Sequence, residues 1–97
     1  MNREMHPEAR LEFREAFAYY KDCRDGLGLE FSREVYASIS RIADAPLLWS
    51  RLTENSRRFL TKRFPYSIIY QVLDEGVLIV AVAHQKRKPG YWKDRLK

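Results

Sequence analysis

His84, Arg87 and Tyr91 follow one another closely, just after the chain's longest apolar run, Val77 to Ala83. A histidine to move a proton, a guanidinium to hold a crowded phosphate and a phenol as second proton donor are what metal-free RNA cleavage requires. Lys86 and Lys88 flank Arg87, and Trp92 follows Tyr91, so cations and rings that stack on unpaired bases stand side by side. Upstream, Arg58, Lys62 and Arg63 add positive charge from a neighbouring extended segment. These residues are the candidate site: a cationic, aromatic rim at the end of a sheet, suited to a phosphate-rich or acidic partner.

Each residue also has a plainer use. His84 can close a strand by bonding backbone, Lys86 to Lys88 can be a solvated turn, and Tyr91 and Trp92 can fold back as core aromatics. Arg57 and Arg58 can pair with Glu54 at the surface, a contact worth at most about 1 kcal/mol. Other chemistries find less support. The two histidines, His6 and His84, are far apart in the chain and no paired Cys/His spacing exists, so no metal is expected. Cys23 stands alone, and its neighbours Asp22 and Asp25 do not favour a nucleophilic thiolate. No phosphate-binding loop, dinucleotide glycine fingerprint or nucleophile elbow is present, and no cofactor is expected.

The elements that must position the rim can be read from the pattern. Residues 1–6 alternate briefly, as in a short strand. His6-Pro7-Glu8 opens a helix, with proline at the first helical position and a carboxylate at the positive dipole end. Phe13, Ala16, Phe17 and Tyr20 form one stripe, which ends over Asp22 to Gly28. Phe31, Val35, Ile39 and Ile42 form a second, which stops before Pro46. Arg57 to Arg63 reads as a strand with Phe59 on one side and Arg58, Leu60 and Lys62 on the other. Phe64-Pro65 interrupts it, and Tyr66 to Val72 resumes. Leu73 to Gly76 is a hairpin turn with Gly76 suited to positive φ, and Val77 to His84 is apolar on both faces, as in a central strand. The order is (β)ααβββ: an α+β domain in which a two-helix antiparallel hairpin packs on a small, mainly antiparallel sheet of three to four strands.

The 97 residues suit a single domain, 1–97, with 45% hydrophobic and 32% charged residues. The net charge of +5 is uneven: residues 1–50 hold 7 Lys/Arg against 9 Asp/Glu, residues 51–97 hold 11 against 4. The second half is therefore the natural binding half. No apolar run is long enough to span a bilayer, the first residues lack a signal-peptide core, and a lone cysteine suits a reducing cytoplasm.

Several segments together resemble the RelE/ParE superfamily of toxins from bacterial type II toxin–antitoxin modules, in particular its ParE-like members. They are His6-Pro7-Glu8-Ala9, the Gly26-Leu27-Gly28 turn, Arg63-Phe64-Pro65-Tyr66-Ser67-Ile68-Ile69-Tyr70 and Ala81 through Pro89. The resemblance implies a cytoplasmic α+β toxin neutralised by a cognate antitoxin whose C-terminal segment wraps it. ParE-like members inhibit DNA gyrase by binding it. RelE-like members cleave mRNA on the ribosome. Arg87 and Tyr91 match the end of the RelE pattern, and Lys62 or Arg63 its basic strand. Ser67, however, stands where that pattern has a central-strand arginine. The resemblance thus implies gyrase inhibition through Arg58, Lys62, Arg63, Lys86, Lys88 and Trp92. The alternatives are ribosome-dependent endonuclease activity through His84, Arg87 and Tyr91, or an inactive relic that only binds its antitoxin.

Overall fold

His6 sets the start of the first helix. Its Nδ1 accepts the Glu8 amide at 3.1 Å, and Pro7 takes the first helical position, where an amide would have no partner. In the computed structural model, which describes residues 2–97, α1 runs over Pro7–Cys23 and α2 over Leu27–Asp44. Gly26 makes the tight link between them at φ 82°, a left-handed angle that side chains with a Cβ resist. Each helix turns its apolar stripe inward. Ala9 and Ala16 are buried in α1, with Phe13, Phe17 and Tyr20 partly so; Phe31, Val35, Ile39 and Ile42 are buried in α2. The rings of Tyr20, Phe64 and Tyr66 lie about Phe31 with centroids 5.1–5.2 Å away.

Neither stripe could be buried by its partner helix alone; the sheet completes the core. Its strands are β1 (Asn2–Met5), β2 (Ser50–Thr53), β3 (Ser56–Leu60), β4 (Tyr66–Leu73) and β5 (Gly76–His84), in the order β1-β5-β4-β3-β2. β1 pairs parallel with β5, and all other neighbours are antiparallel. Ile68, Tyr70, Val77, Ile79 and Val82 face the helices. Burying an aliphatic side chain of this size completely stabilises the fold by about 1.5–3 kcal/mol. The reverse face has its own smaller core of Ile69, Leu78, Val80, Ala81, Ala83 and Trp92. β5 is covered on both sides, as its unbroken apolar run predicts.

The two cores are set by a bulge. Ile69 faces Ala81 and Tyr70 faces Ile79, so Val80 has no partner on β4. Two successive residues, Val80 and Ala81, therefore turn to the reverse face. Three expectations need correction. The sheet has five strands, because Ser50–Thr53 adds an edge strand to the four expected; the short strand read over residues 1–6 forms over Asn2–Met5 and runs parallel, residue 1 lying outside the described residues. The strand expected over Arg57–Arg63 ends at Leu60: Thr61 turns the chain, its Oγ1 donating to Phe64 O at 2.6 Å and its amide to Tyr66 O at 3.0 Å. Gly76 does not adopt positive φ; it opens β5 opposite Asn2, where a Cβ would stand 2.0 Å from the Asn2 carbonyl oxygen. Close approach of β1, not the hairpin turn, requires glycine there.

Candidate functional site

β5 delivers His84 to the rim, and the chain then folds back across the reverse face. The turn is held by the Arg87 amide donating to His84 O at 3.0 Å and the Gln85 amide to Pro65 O at 2.8 Å. His84 Nδ1 accepts the Lys86 amide at 3.1 Å, which leaves the proton of a neutral imidazole on Nε2. Its ring stands edge-on to Tyr66, with centroids 5.2 Å apart. Trp92, only 5% exposed, packs into the reverse-face core, and Gln71 clasps the Lys97 backbone through its amide side chain at 2.9 and 3.0 Å. Trp92 is thus a core aromatic with no free face for stacking.

A cavity of about 270 Å³ lies between this returning segment and strands β2 to β5. Arg58, His84, Arg87, Lys88, Tyr91 and Trp92 all line it, with Lys93 and the buried Ser67. None of its lining residues is acidic. Lys62 and Arg63 lie elsewhere. They line a separate cavity of about 440 Å³ between α2 and β3, beside Glu30 and Glu34. There Arg63 donates to Glu30 Oε1 at 2.6 Å, and the Lys62 and Arg63 amides both donate to Glu34 Oε2, at 2.5 and 2.9 Å. The hydrogen bond from Arg63, with Arg24 near, holds the Glu30 carboxyl below its ordinary value. The expected single pocket of all the candidate cations is therefore two, divided because the chain turns at Thr61 instead of continuing the strand. Lys86 lines neither.

The organising residue of the rim is Glu12, which the sequence reading passes over. Its side chain is 10% exposed and takes hydrogen bonds from five donors. These are Tyr91 Oη at 2.7 Å, Arg95 Nη1 and Nη2 at 3.0 and 3.2 Å, Arg87 Nη1 at 3.2 Å and the Val82 amide at 3.0 Å. Arg95, 11% exposed, also donates to Val80 O at 3.1 Å. β1 covers the edge of β5 only from Gly76 to Ile79, so Glu12 and Arg95 complete that edge where the parallel strand stops. The signal for Glu12 is its place on α1: three residues after Ala9 and four before Ala16, a carboxylate in line with two buried alanines.

This arrangement limits what the rim can do chemically. Burial first, then the hydrogen bond to Glu12, drives the Tyr91 phenol far above its ordinary value, so its proton stays on the oxygen and points at Glu12. Arg87 lies 3.6 Å over the centre of the Tyr91 ring while paired to Glu12. Two of the three groups proposed for RNA cleavage are thus engaged internally. Among the described residues, no group of three His, Cys, Asp or Glu side chains is placed to hold a metal ion, and no helix is long and apolar enough to cross a membrane.

Comparison with known proteins agrees with this architecture. The solved structure described as the chromosomal ParDE TA system from P. aeruginosa superposes with a TM-score of 0.73 over 87% of this chain and 95% of that one, at 16% identity, a likeness of fold. Toxin ParE2, from two strains of Mycobacterium tuberculosis, is 33% identical over 76 residues, 77% of this chain and 72% of that protein. The family model described as "ParE toxin of type II toxin-antitoxin system, parDE" matches residues 4–89. With the helical hairpin and strands β2 to β5 inside the matched span, which stops short of Tyr91 and Trp92, the chain belongs to the ParE family of type II toxin–antitoxin toxins.

Proposed function

We propose that this toxin arrests growth by engaging DNA gyrase through its cationic rim, and that a cognate antitoxin neutralises it in the cytoplasm. The observation that carries this reading is the commitment of the Tyr91 phenol to Glu12. Cleavage that uses this phenol needs it ready to release its proton, and a cation at the centre of the sheet for the phosphorane. Here the phenol is held protonated, and Ser67 supplies no charge at the centre of the sheet. Binding needs only the charge and shape of the rim. Purified toxin titrated into a gyrase supercoiling assay should leave plasmid relaxed or cleaved. Unchanged supercoiling at saturating toxin would refute the reading.

One observation favours a second reading, ribosome-dependent mRNA cleavage: Arg58, His84, Arg87 and Lys88 share a cavity without a carboxylate. In that case primer extension on translated messages shows new 5′ ends that vanish in Arg87→Ala. Intact messages in arrested cells exclude it. If induction without antitoxin leaves cells growing normally, an inactive, antitoxin-binding relic accounts for both results.

A further inference from the structure

Arg87 stands on the boundary between two cavities of opposite character. On one side a cavity of about 230 Å³ is lined by Glu12 and Glu15; on the other lies the reverse-face cavity of about 270 Å³, walled by cations and no carboxylate. Arg87 lines both. We propose that Arg87 is an exchangeable arm, which leaves Glu12 to receive a carboxylate from an acidic peptide segment of a protein partner seated in the reverse-face cavity.

Glu12 can release it. Five donors converge on a carboxylate that offers about four lone-pair positions, so one of them is surplus. Arg95 is buried and doubly bonded, the Val82 amide belongs to the sheet edge, and Tyr91 makes the shortest contact. Arg87 makes a single 3.2 Å bond from a side chain that is 52% exposed. When Arg87 leaves, Glu12 remains neutralised by Arg95. The Tyr91 ring, which also lines the reverse-face cavity, supplies a surface on which the guanidinium can turn without losing its stacking contact.

The receiving cavity specifies the ligand. Arg58, Lys88 and Lys93 line it and make no ion pair among the described residues, so an entering carboxylate meets uncompensated charge. Leu52 and Pro89 add an apolar wall for a neighbouring aliphatic side chain. A nucleobase finds no platform, since Trp92 is buried and the Tyr91 face is covered by Arg87. An acidic peptide with interspersed apolar residues satisfies both the charge and the wall.

The test uses the full chain and reads no toxicity, so it can fail or succeed independently of the gyrase reading. A labelled twelve-residue peptide of Glu and Leu is titrated by fluorescence anisotropy, with twelve-residue oligothymidylate in parallel, and the Arg87 Nε–Hε resonance is followed by NMR. The peptide should bind and shift that resonance. Arg87→Gln should weaken binding about tenfold while moving Tm by no more than about 2 °C, whereas Arg95→Gln lowers Tm by roughly 10 °C or more. No peptide binding, an unmoved resonance, undiminished affinity in Arg87→Gln, or a Tm loss matching that of Arg95→Gln overturns the proposal. Tighter binding of the oligonucleotide through the same residues overturns it in favour of a nucleic-acid groove.

Discussion

Replacing Glu12 by alanine removes one carboxylate and strands three other groups. Arg95 keeps a guanidinium that is 11% exposed with only the Val80 carbonyl as acceptor. The Val82 amide loses its side-chain acceptor at the sheet edge, and the Tyr91 hydroxyl loses its acceptor. Breaking a buried ion pair by removing one partner costs about 3–5 kcal/mol, and orphaning a buried amide about 1–3 kcal/mol. These are not additive, and Arg95 sits on a short 3-10 turn, Lys93–Arg95, from which it can reach water, so about 3 kcal/mol is the working value. For a chain of this size that corresponds to a fall in Tm of roughly 12–24 °C. Urea denaturation followed by circular dichroism measures it directly. The double variant Glu12→Leu/Arg95→Met should recover much of the loss, because an apolar pair of similar volume often replaces a buried ion pair at little cost. A Glu12→Ala loss below about 1 kcal/mol, or a double variant no better than the single, would refute the role given to this carboxylate.

Two further perturbations test other parts of the molecule. Gly76→Ala drives a methyl group into the Asn2 carbonyl, so β1 must move off the sheet at about 1–3 kcal/mol of overpacking; amide exchange on the outer edge of β5 should accelerate, and unchanged protection at Ile79 would contradict the assignment. Tyr91, with Tyr20, Tyr66 and Tyr70, has its pKa raised in the folded state, chiefly by burial. Stability from these phenols is complete below the unfolded value near 10 and is lost as pH rises above it, because the unfolded chain then gives up protons that the folded chain keeps. The urea midpoint should fall above pH 10, less steeply in Tyr91→Phe; parallel curves for the two proteins would show that Tyr91 does not contribute.

Both helices are legible in the sequence because each carries a sustained 3.6-residue stripe between clear stops, Pro7 and Gly26 for one, Gly26 and Pro46 for the other. β4 and β5 are legible as runs too apolar to be exposed. β2 is not: Ser50, Arg51 and Leu52 are all exposed, and an edge strand with no buried face leaves no alternation to find. The rim is partly legible. Arg58, His84, Arg87, Lys88, Tyr91 and Trp92 do converge on one cavity, since β3 and the end of β5 flank β4 in one sheet. Lys62 and Arg63 depart to the helix side because a threonine turn is hard to tell from strand continuation when Thr itself favours strands. Glu12 is the clearest omission: its partners Val82, Tyr91 and Arg95 lie 70 to 83 residues away, a distance that local periodicity does not bridge.

The parallel strand has a consequence for how the toxin matures. β1 precedes both helices yet pairs only with β5, whose partner residues follow 74 positions later, as in Asn2 with Gly76. At a synthesis rate of about 5–20 residues per second, the nascent segment waits roughly 4–15 seconds for its neighbour. During that interval the stripes of both helices have no sheet to cover them. An unfinished chain with these stripes uncovered is open to aggregation, and the rim that follows β5 takes shape only once that strand has joined the sheet.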